Sequence, residues 1–426
     1  MAIFSELIAK KGNYAQYMID EITHICKDLP KRGPGDEGER LACEYMADVL
    51  KKDGGCERAD VESFKEHPNA FFGWIYFTVT FVLASMVLFF FLPVAGIILT
   101  ALGFYIVVLQ FVMYKRAIDC FFPEKTGHSV TAIKKCTGEV KARVFFNGHP
   151  DAVWNWPINN RLGGKVHSFQ VRSSFIGLFV VLLLNVAATV VLAIKGVWFY
   201  SGPFDLSSYT ATYSVPLFWL GIVAILFAIP LIGMYFMWDE KTFVDGANDN
   251  LTGCYMGISI LKSLKDAGVE LKHVEVGVII SGSEEAGLRG AKAWGEQHKG
   301  EFDDVPTWIY CYDTIHDSKF LKVNYRDLND TVEVDKEVSD SFVNAAKELN
   351  IPCSKGKFPM FAGATDSAAF AQAGFKATGI SALDTVPADY YHTMRDSYDN
   401  LSKDCLADCF AISVKCLENI DAAYSD

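Results

Sequence analysis

Five short stretches of this chain carry residue types that bind divalent cations or move protons. His149-Pro150-Asp151 follows a run, Glu139 to Phe146, that alternates toward an apolar end as a strand does. Ser281-Gly282-Ser283-Glu284-Glu285 closes the predicted strand His273 to Ile280, and Asp313 closes Thr307 to Tyr312. Tyr390-Tyr391-His392-Thr393 comes after a late strand, Thr378 to Leu383. Asp249 lies within Val244 to Gly253, a glycine-flanked turn that feeds a helix and lets a carboxylate project from a rigid edge. Taken singly, each stretch has a plain structural reading: an Asp-Asn turn caps a helix, paired glutamates open solvated helices, and an Asp after a strand turns the chain. Taken together, they bring imidazoles and carboxylates to one edge of a sheet, where open α/β folds bind ligands.

That set has the composition of a site for two metal ions. Asp249, Glu285 and Asp313 supply negative charge, and a bridging hydroxide adds one more, so two divalent cations leave the site near neutrality and burial becomes tolerable. Water bound to such a metal titrates closer to neutral pH, and a carboxylate that is not itself a ligand can take its proton. Glu284, next to a ligand and pointing the other way, suits that role.

The elements that must position these residues follow an α/β order. Beyond Thr252 the pattern gives a helix to Ala267, the strand to Ile280, a helix from Gly287 to Gln297 and the strand from Thr307. A short strand Phe320 to Asn324, a helix Asp335 to Leu349, the strand from Thr378 and a closing helix Lys403 to Ala423 complete it. Ahead of them, Glu37 to Lys52 is an amphipathic helix with Leu41, Tyr45, Met46 and Val49 on one face. The α/β reading is interrupted twice. No charged residue occurs from Ala70 to Tyr114, which is room for two spans of roughly 20 residues with a turn near Leu92 to Gly96. A second apolar pair, Ser173 to Ile194 and Leu206 to Trp238, is joined by an aromatic loop from Trp198 to Tyr213; Pro216 suits a first helical turn and Pro230 should kink the last span. The expected domains are therefore 1–69, 115–172 and 239–426 for the catalytic part, with membrane hairpins at 70–114 and 173–238.

Each hairpin returns the chain to the side it left, so all five stretches share one compartment. Lys65, Lys115, Arg116, Arg161, Lys165, Arg172 and Lys241 flank the spans on that side and only Lys195 lies on the other, which puts the catalytic part in the cytoplasm of a multi-pass cell-membrane protein. The 11 cysteines, odd in number and without a Cys-x-x-Cys pair, fit a reducing compartment. Met1 to Gly12 holds no apolar core of signal-peptide length, so no export is expected from it. A net charge of −12 without a Lys/Arg-rich block excludes nucleic acid as a partner. Hydrophobic residues at 51% against 21% charged agree with membrane segments.

The motif series His-x-Asp, Gly-Ala-x-Asp-Asn-x-Thr-Gly, Ser-Glu-Glu-x-Gly-Leu-x-Gly, Tyr-Asp, Thr-Asp-Ser-Ala-x-Phe and Tyr-His-Thr-x-x-Asp-Ser-x-Asp-Asn-Leu resembles the di-zinc aminopeptidases, the family of aminopeptidase Y, aminopeptidase S and glutamate carboxypeptidase II. The resemblance covers most of residues 13–66 and 119–426. It implies a three-layer α/β/α fold with a mixed central sheet and two divalent ions, zinc first among them. It also implies that His149, Asp249 and Asp313 hold one metal and Asp249, Glu285 and His392 the other, with Asp151 orienting His149 and Glu284 as general base. The bond after the bridging aspartate, Asp249-Asn250, is then a candidate cis peptide. The family carries its first two motifs a few tens of residues apart; here about a hundred intervene, and the second hairpin fills most of them.

The expected activity is hydrolysis of peptide or amide bonds by an aminopeptidase-like, membrane-bound zinc enzyme. An amidase of amphiphilic substrates, such as N-acyl amino acids or lipopeptides, is the alternative, because Asp249 lies only 11 positions past Trp238, a link of at most about 40 Å. Glutaminyl cyclase chemistry and a non-catalytic receptor stand behind both. The expected partners are the peptide or amide substrate and the lipid bilayer, and Arg161, His167, Arg326 and Tyr391 are candidate polar readers of the substrate.

Overall fold

The computed structural model describes residues 2–203, 205–358, 363–384 and 388–425; Phe204, inside the loop expected from Trp198 to Tyr213, lies outside them. The chain forms two compact units, one of Met1–Pro68, Phe122–Asn155 and Glu240–Asp426, the other of Asn69–Phe121 and Trp156–Asp239.

The first unit is built on a mixed sheet of β1 (Arg58–Glu66), β2 (Lys125–Lys134), β3 (Ala142–Gly148), β4 (Val274–Ile280), β5 (Thr307–Ile315), β6 (Leu321–Asp327), β7 (Val332–Glu333), β8 (Ser354–Lys357) and β9 (Lys376–Ala382). Their order is β1-β2-β4-β3-β5-β9-β6-β7, with β8 on β6. The central strands β4, β3, β5 and β9 run parallel, and β1, β2 and β6 add antiparallel flanks. Central parallel strands are covered on both faces, which is why β3 is buried at every position, Arg143 and Asn147 included. Successive residues show the two layers: Phe146 lies against Tyr310 at 5.9 Å, whereas Phe145 meets Trp294 at 6.1 Å on the opposite face. Helices Lys11–Asp28, Thr252–Asp266 and Lys403–Ala423 pack with one another on the Phe146 side, and Arg289–Gln297, carrying Trp294, lies on the other. The fold is thus the expected α/β/α arrangement. β3 starts at Ala142 rather than Glu139, because Glu139 to Lys141 turn back along His273, whose carbonyl accepts from the Lys141 N–H at 2.9 Å.

Among the described residues of the second unit, four helices are long and apolar enough to cross a membrane: Ala70–Leu88, Pro93–Val112, Gly164–Ile194 and Val215–Met234. The first two are joined at Phe89–Leu92, ahead of the expected Leu92 to Gly96, because Pro93 opens the second helix at its first position. The third begins nine residues before the expected Ser173, because Gly164, His167, Gln170 and Ser174 recur at helical spacing and bury one face through its polar start. The fourth is shorter than Leu206 to Trp238: Asp205 caps a separate helix, Leu206–Tyr213, accepting from the Ser208 N–H at 2.9 Å, and Ser214 breaks the run at φ 76°. Pro216 lies in the first turn, and the helix tightens to a 3₁₀ stretch at Ile225–Phe227, just where Pro230 cannot donate to the Leu226 carbonyl. Between the helices, Asn185 donates to the Ser85 carbonyl at 3.2 Å, and Thr78 to the Gly103 carbonyl at 3.0 Å. A Cβ on Gly96 would collide with Asn185.

Both excursions leave and rejoin the sheet unit through antiparallel pairing. Glu66 of β1 lies opposite Lys125 of β2, and Trp154 bridges Phe243, with Asn155 N–H donating to the Thr242 carbonyl at 2.8 Å.

Candidate dinuclear metal centre

The parallel strands all end at one edge, and the loops beyond them converge. The site divides into two buried triads, His149, Glu284 and Asp313, and Asp249, Glu285 and His392; within each, one ligand-type atom per residue lies within 4.8 Å of the others. Asp249 joins them: its Oδ1 is 3.4 Å from His149 Nε2 and its Oδ2 is 3.1 Å from His392 Nε2. Glu285 Oε1 lies 3.4 Å from the same His392 nitrogen, and Glu284 Oε2 lies 3.8 Å from His149 Nε2. The family resemblance sets Asp249, not Glu284, beside His149 and Asp313; the structure brings both carboxylates to that imidazole, with Asp249 the closer.

Asp151 does more than orient an imidazole. Its carboxylate lies 3.3 Å from His149 Nδ1 and also accepts the backbone N–H groups of Glu284 and Glu285, each at 3.0 Å, so it fixes His149 and the paired glutamates together. Two further buried residues, to which no local pattern assigns a role, perform similar work. Asp396 accepts from Asn248 N at 2.7 Å and Asp249 N at 3.1 Å, which anchors the Asp249 turn. Arg32 donates from Nε to the Pro150 carbonyl at 2.7 Å and from Nη2 to the Gly246 carbonyl at 3.2 Å, tying the His149 loop to the Asp249 turn. Gly246 adopts φ 56°, and a Cβ there would stand 2.7 Å from the Asp249 carbonyl oxygen, so the turn requires glycine. The Asp249-Asn250 bond is cis. Ser283, Thr314 and His392 also take positive φ without being glycine, each at or next to a residue of the two triads.

Below the Glu284-Glu285 loop, the Ser283 hydroxyl faces two buried carboxyl groups, Glu39 Oε2 at 2.6 Å and Glu66 Oε1 at 2.5 Å. One hydroxyl has a single proton to give, so one of the pair must itself carry a proton. Burial accordingly pushes Glu66 up to about 8 and Glu39 well above the carboxylate range.

The electrostatics of the triads favour cations. Burial, reinforced by facing carboxylates, raises Glu284 and Glu285 far above their ordinary values and Asp313 to about 8. Burial works against a charged His149, yet Glu284 and Asp151 raise it. Burial also opposes ionisation of Asp249, but the two imidazoles hold its carboxyl below the usual range. Among the described residues His149 Nε2 and Glu285 Oε1 are buried without a hydrogen-bond partner, each lying 3.4 Å from a group of the triads, Asp249 Oδ1 and His392 Nε2 respectively. Imidazole and carboxylate donors with such orphaned atoms fit a pair of divalent ions, zinc included.

The four candidate polar readers separate. Tyr391 stacks on His392 at 3.8 Å, and burial together with Asp249 and Glu285 keeps its phenol protonated. Arg326 faces Asp330 and Glu333, each at 3.7 Å. Arg161 and His167 belong to the helical unit, where His167 stacks on Trp156 at 4.6 Å.

Comparison with known proteins agrees with this geometry. Residues 238–417 match Peptidase family M28. No curated protein matches the chain in sequence. Among solved structures it is similar to a zinc aminopeptidase from Bacillus subtilis, with a TM-score of 0.55 at 13% identity over 95% of each chain. An aminopeptidase from Aneurinibacillus sp. strain AM-1 gives 0.55 at 13% identity, covering 95% of this chain and 93% of that one. A Zn-dependent exopeptidase from Parabacteroides distasonis gives 0.50 at 11%, covering 96% and 98%. The chain therefore has the fold of the zinc aminopeptidases, and its residues 238–417, which supply Asp249, Glu284, Glu285, Asp313 and His392, match Peptidase family M28.

Proposed function

We propose that this chain is a membrane-embedded, zinc-dependent hydrolase of peptide bonds, aminopeptidase-like, with its catalytic unit on the cytoplasmic side. The observation that carries the reading is Asp249, whose two oxygens face two imidazoles of separate triads. His149, Asp249 and Asp313 would hold one zinc ion, and Asp249, Glu285 and His392 the other. Bound zinc supplies Lewis acidity toward the scissile carbonyl and makes water more acidic. Glu284, further from His149 than Asp249 is, stays free of the ligand set and takes a proton from the attacking water, then hands it to the leaving nitrogen. Asp151 holds His149 in one tautomer and keeps Glu284 in place through the backbone. Tyr391, kept protonated, donates to the oxygen on which negative charge develops. The four apolar helices and the excess of Lys and Arg beside one set of their ends support the membrane placement.

Purified full-length protein should release amine from aminoacyl amides and small peptides, lose that activity on chelation, and regain it with two equivalents of zinc. Cleavage of long-chain N-acyl amino acids in place of aminoacyl amides would replace the peptidase reading by the amidase one, and no metal-dependent hydrolysis of either would overturn both.

A further inference from the structure

The antiparallel strand β6 brings a cation to the edge that carries the triads. It enters the sheet at Leu321, opposite Ala382 at the end of β9, so its first residues stand where the parallel strands finish. Asp313 of β5 is paired with Ser381 of β9, and Ser381 in turn with Lys322 of β6. Paired residues project from the same face of a sheet, so Asp313, Ser381 and Lys322 form one row, with Asp313 and Lys322 two strand spacings, roughly 10 Å, apart.

The two polar groups that follow Asp313 in this row are unspent. The Ser381 hydroxyl is buried, at 2% exposure, and has no hydrogen-bond partner among the described residues. Lys322 is half-buried and makes no ion pair or hydrogen bond among them; its ammonium lies over the Phe358 ring, 5.5 Å from the centroid. Two carboxylates act on it without pairing. Burial holds the ammonium below its ordinary pKa, and Asp327 and Asp313 pull the other way. Asp327 is already saturated, accepting from the Thr365 and Ser367 hydroxyls at 2.6 and 2.9 Å and from the backbone N–H groups of Leu328 and Thr365 at 2.6 and 3.2 Å. Asp313 is committed to its triad.

An ammonium has three protons to donate, and one that is partly desolvated calls for an acceptor; a hydroxyl beside it adds another donor. The acceptor that suits both is a carboxylate. A residue flanking the bond to be cut can carry one at roughly 4–6 Å from the scissile carbon, either as an Asp or Glu side chain or as a free C-terminus. The flexible four-carbon stem of Lys322 can bring its ammonium to such a group.

We propose that Lys322 and Ser381 form a substrate subsite for a carboxylate beside the scissile bond, so that the enzyme prefers peptides carrying a negative charge there. The subsite rests on the peptidase reading and deepens it.

The test compares kcat/KM of the zinc-loaded full chain within two sets of charge pairs: aspartyl and glutamyl anilides against asparaginyl and glutaminyl anilides, and Ala-Gly against Ala-Gly amide. At least one set should favour the acid by about tenfold or more, mostly through KM. Preference in the first set assigns the carboxylate to the side chain before the bond, and preference in the second assigns it to the free terminus. Lys322→Met, which keeps the stem, should bring the favoured ratio to about one, Lys322→Arg should restore part of it, and Lys322→Glu should invert it. Ser381→Ala should lower the ratio about threefold. Zinc content of each variant separates loss of the subsite from loss of the fold, and Lys322→Gln serves in place of Lys322→Met if the latter loses zinc. Ratios near one in both sets while neutral substrates are still cut, or a ratio unmoved in Lys322→Met, would overturn the subsite and leave the peptidase reading standing. Absence of zinc-dependent cleavage of every one of these substrates would overturn that reading, and the subsite with it.

Discussion

The two units treat apolar surface in opposite ways. In the sheet unit Phe145, Phe146, Tyr310, Ile380 and Leu417 are all at 1% exposure or less, and buried carboxylates and imidazoles at one edge form the metal-type cluster. In the helical unit Leu183, Leu226, Ile229 and Ile194 point outward at 65–80% exposure, while Thr78, Ser85, Thr100 and Asn185 lie fully inside between helices. Water rewards the first arrangement and penalises the second; hydrocarbon reverses the order, because there a polar side chain must find its partner inside the bundle. The surroundings of a segment can thus be read from which side its polar atoms face. In the sheet unit, buried polarity that is not spent on backbone pairing marks chemistry.

The largest effect tests that last statement. Asp249→Asn should lose metal at both positions and bring hydrolysis to background, whereas Glu284→Gln should keep both metals and the fold while lowering turnover by about 10²–10⁴-fold. One metal still bound at full occupancy in Asp249→Asn contradicts the bridge, and turnover within tenfold of wild type in Glu284→Gln removes it as the base. A smaller effect concerns the buried pair on Ser283. Glu66 has its folded pKa raised from 4.5 to about 8, so the protonated form is favoured by folding. That contribution is fully present below pH 4.5 and is lost as pH rises through 8. Thermal unfolding of wild type should therefore fall between pH 5 and 9 more steeply than that of Glu66→Gln, with curves diverging by about 5 °C. Parallel curves would show that Glu66 is ionised throughout. The smallest effect lies among the helices: Asn185→Ala should cost about 0.6 kcal/mol, at most about 1.7, in unfolding from bilayer-like micelles, since an unfolded span finds other partners in the membrane. A loss far above that range would place the bundle among water-surrounded cores instead.

The ligand-type residues were legible because each follows a strand or turn whose apolar pattern is strong, and because their types are rare together. The groups that hold them were not. Arg32 reaches Pro150 and Gly246, and Asp396 reaches Asn248 and Asp249, across more than a hundred residues of sequence, so local pattern carries no trace of the contact. β1 is illegible for a different reason: Arg58 to Glu66 is a charged outer strand with one partner, β2, so its alternation is blurred by surface residues. The start of the third apolar helix was hidden by Lys165, His167 and Gln170, polar side chains that leave the helical backbone intact while weakening its apolar signature.

The paired strands at the two necks give the architecture a modular character. Glu66 opposite Lys125 and Trp154 opposite Phe243 bring the severed ends of the sheet unit within one strand spacing, so each inserted stretch of apolar helices occupies the place of a short loop. Loop-closure entropy grows only logarithmically with length, about 0.6 kcal/mol for each doubling, so inserting tens of residues at such a neck burdens the host fold little. The insertions behave as cassettes: their length and sequence can drift while the register of β1 on β2, and with it the edge that carries His149 and Glu285, stays fixed.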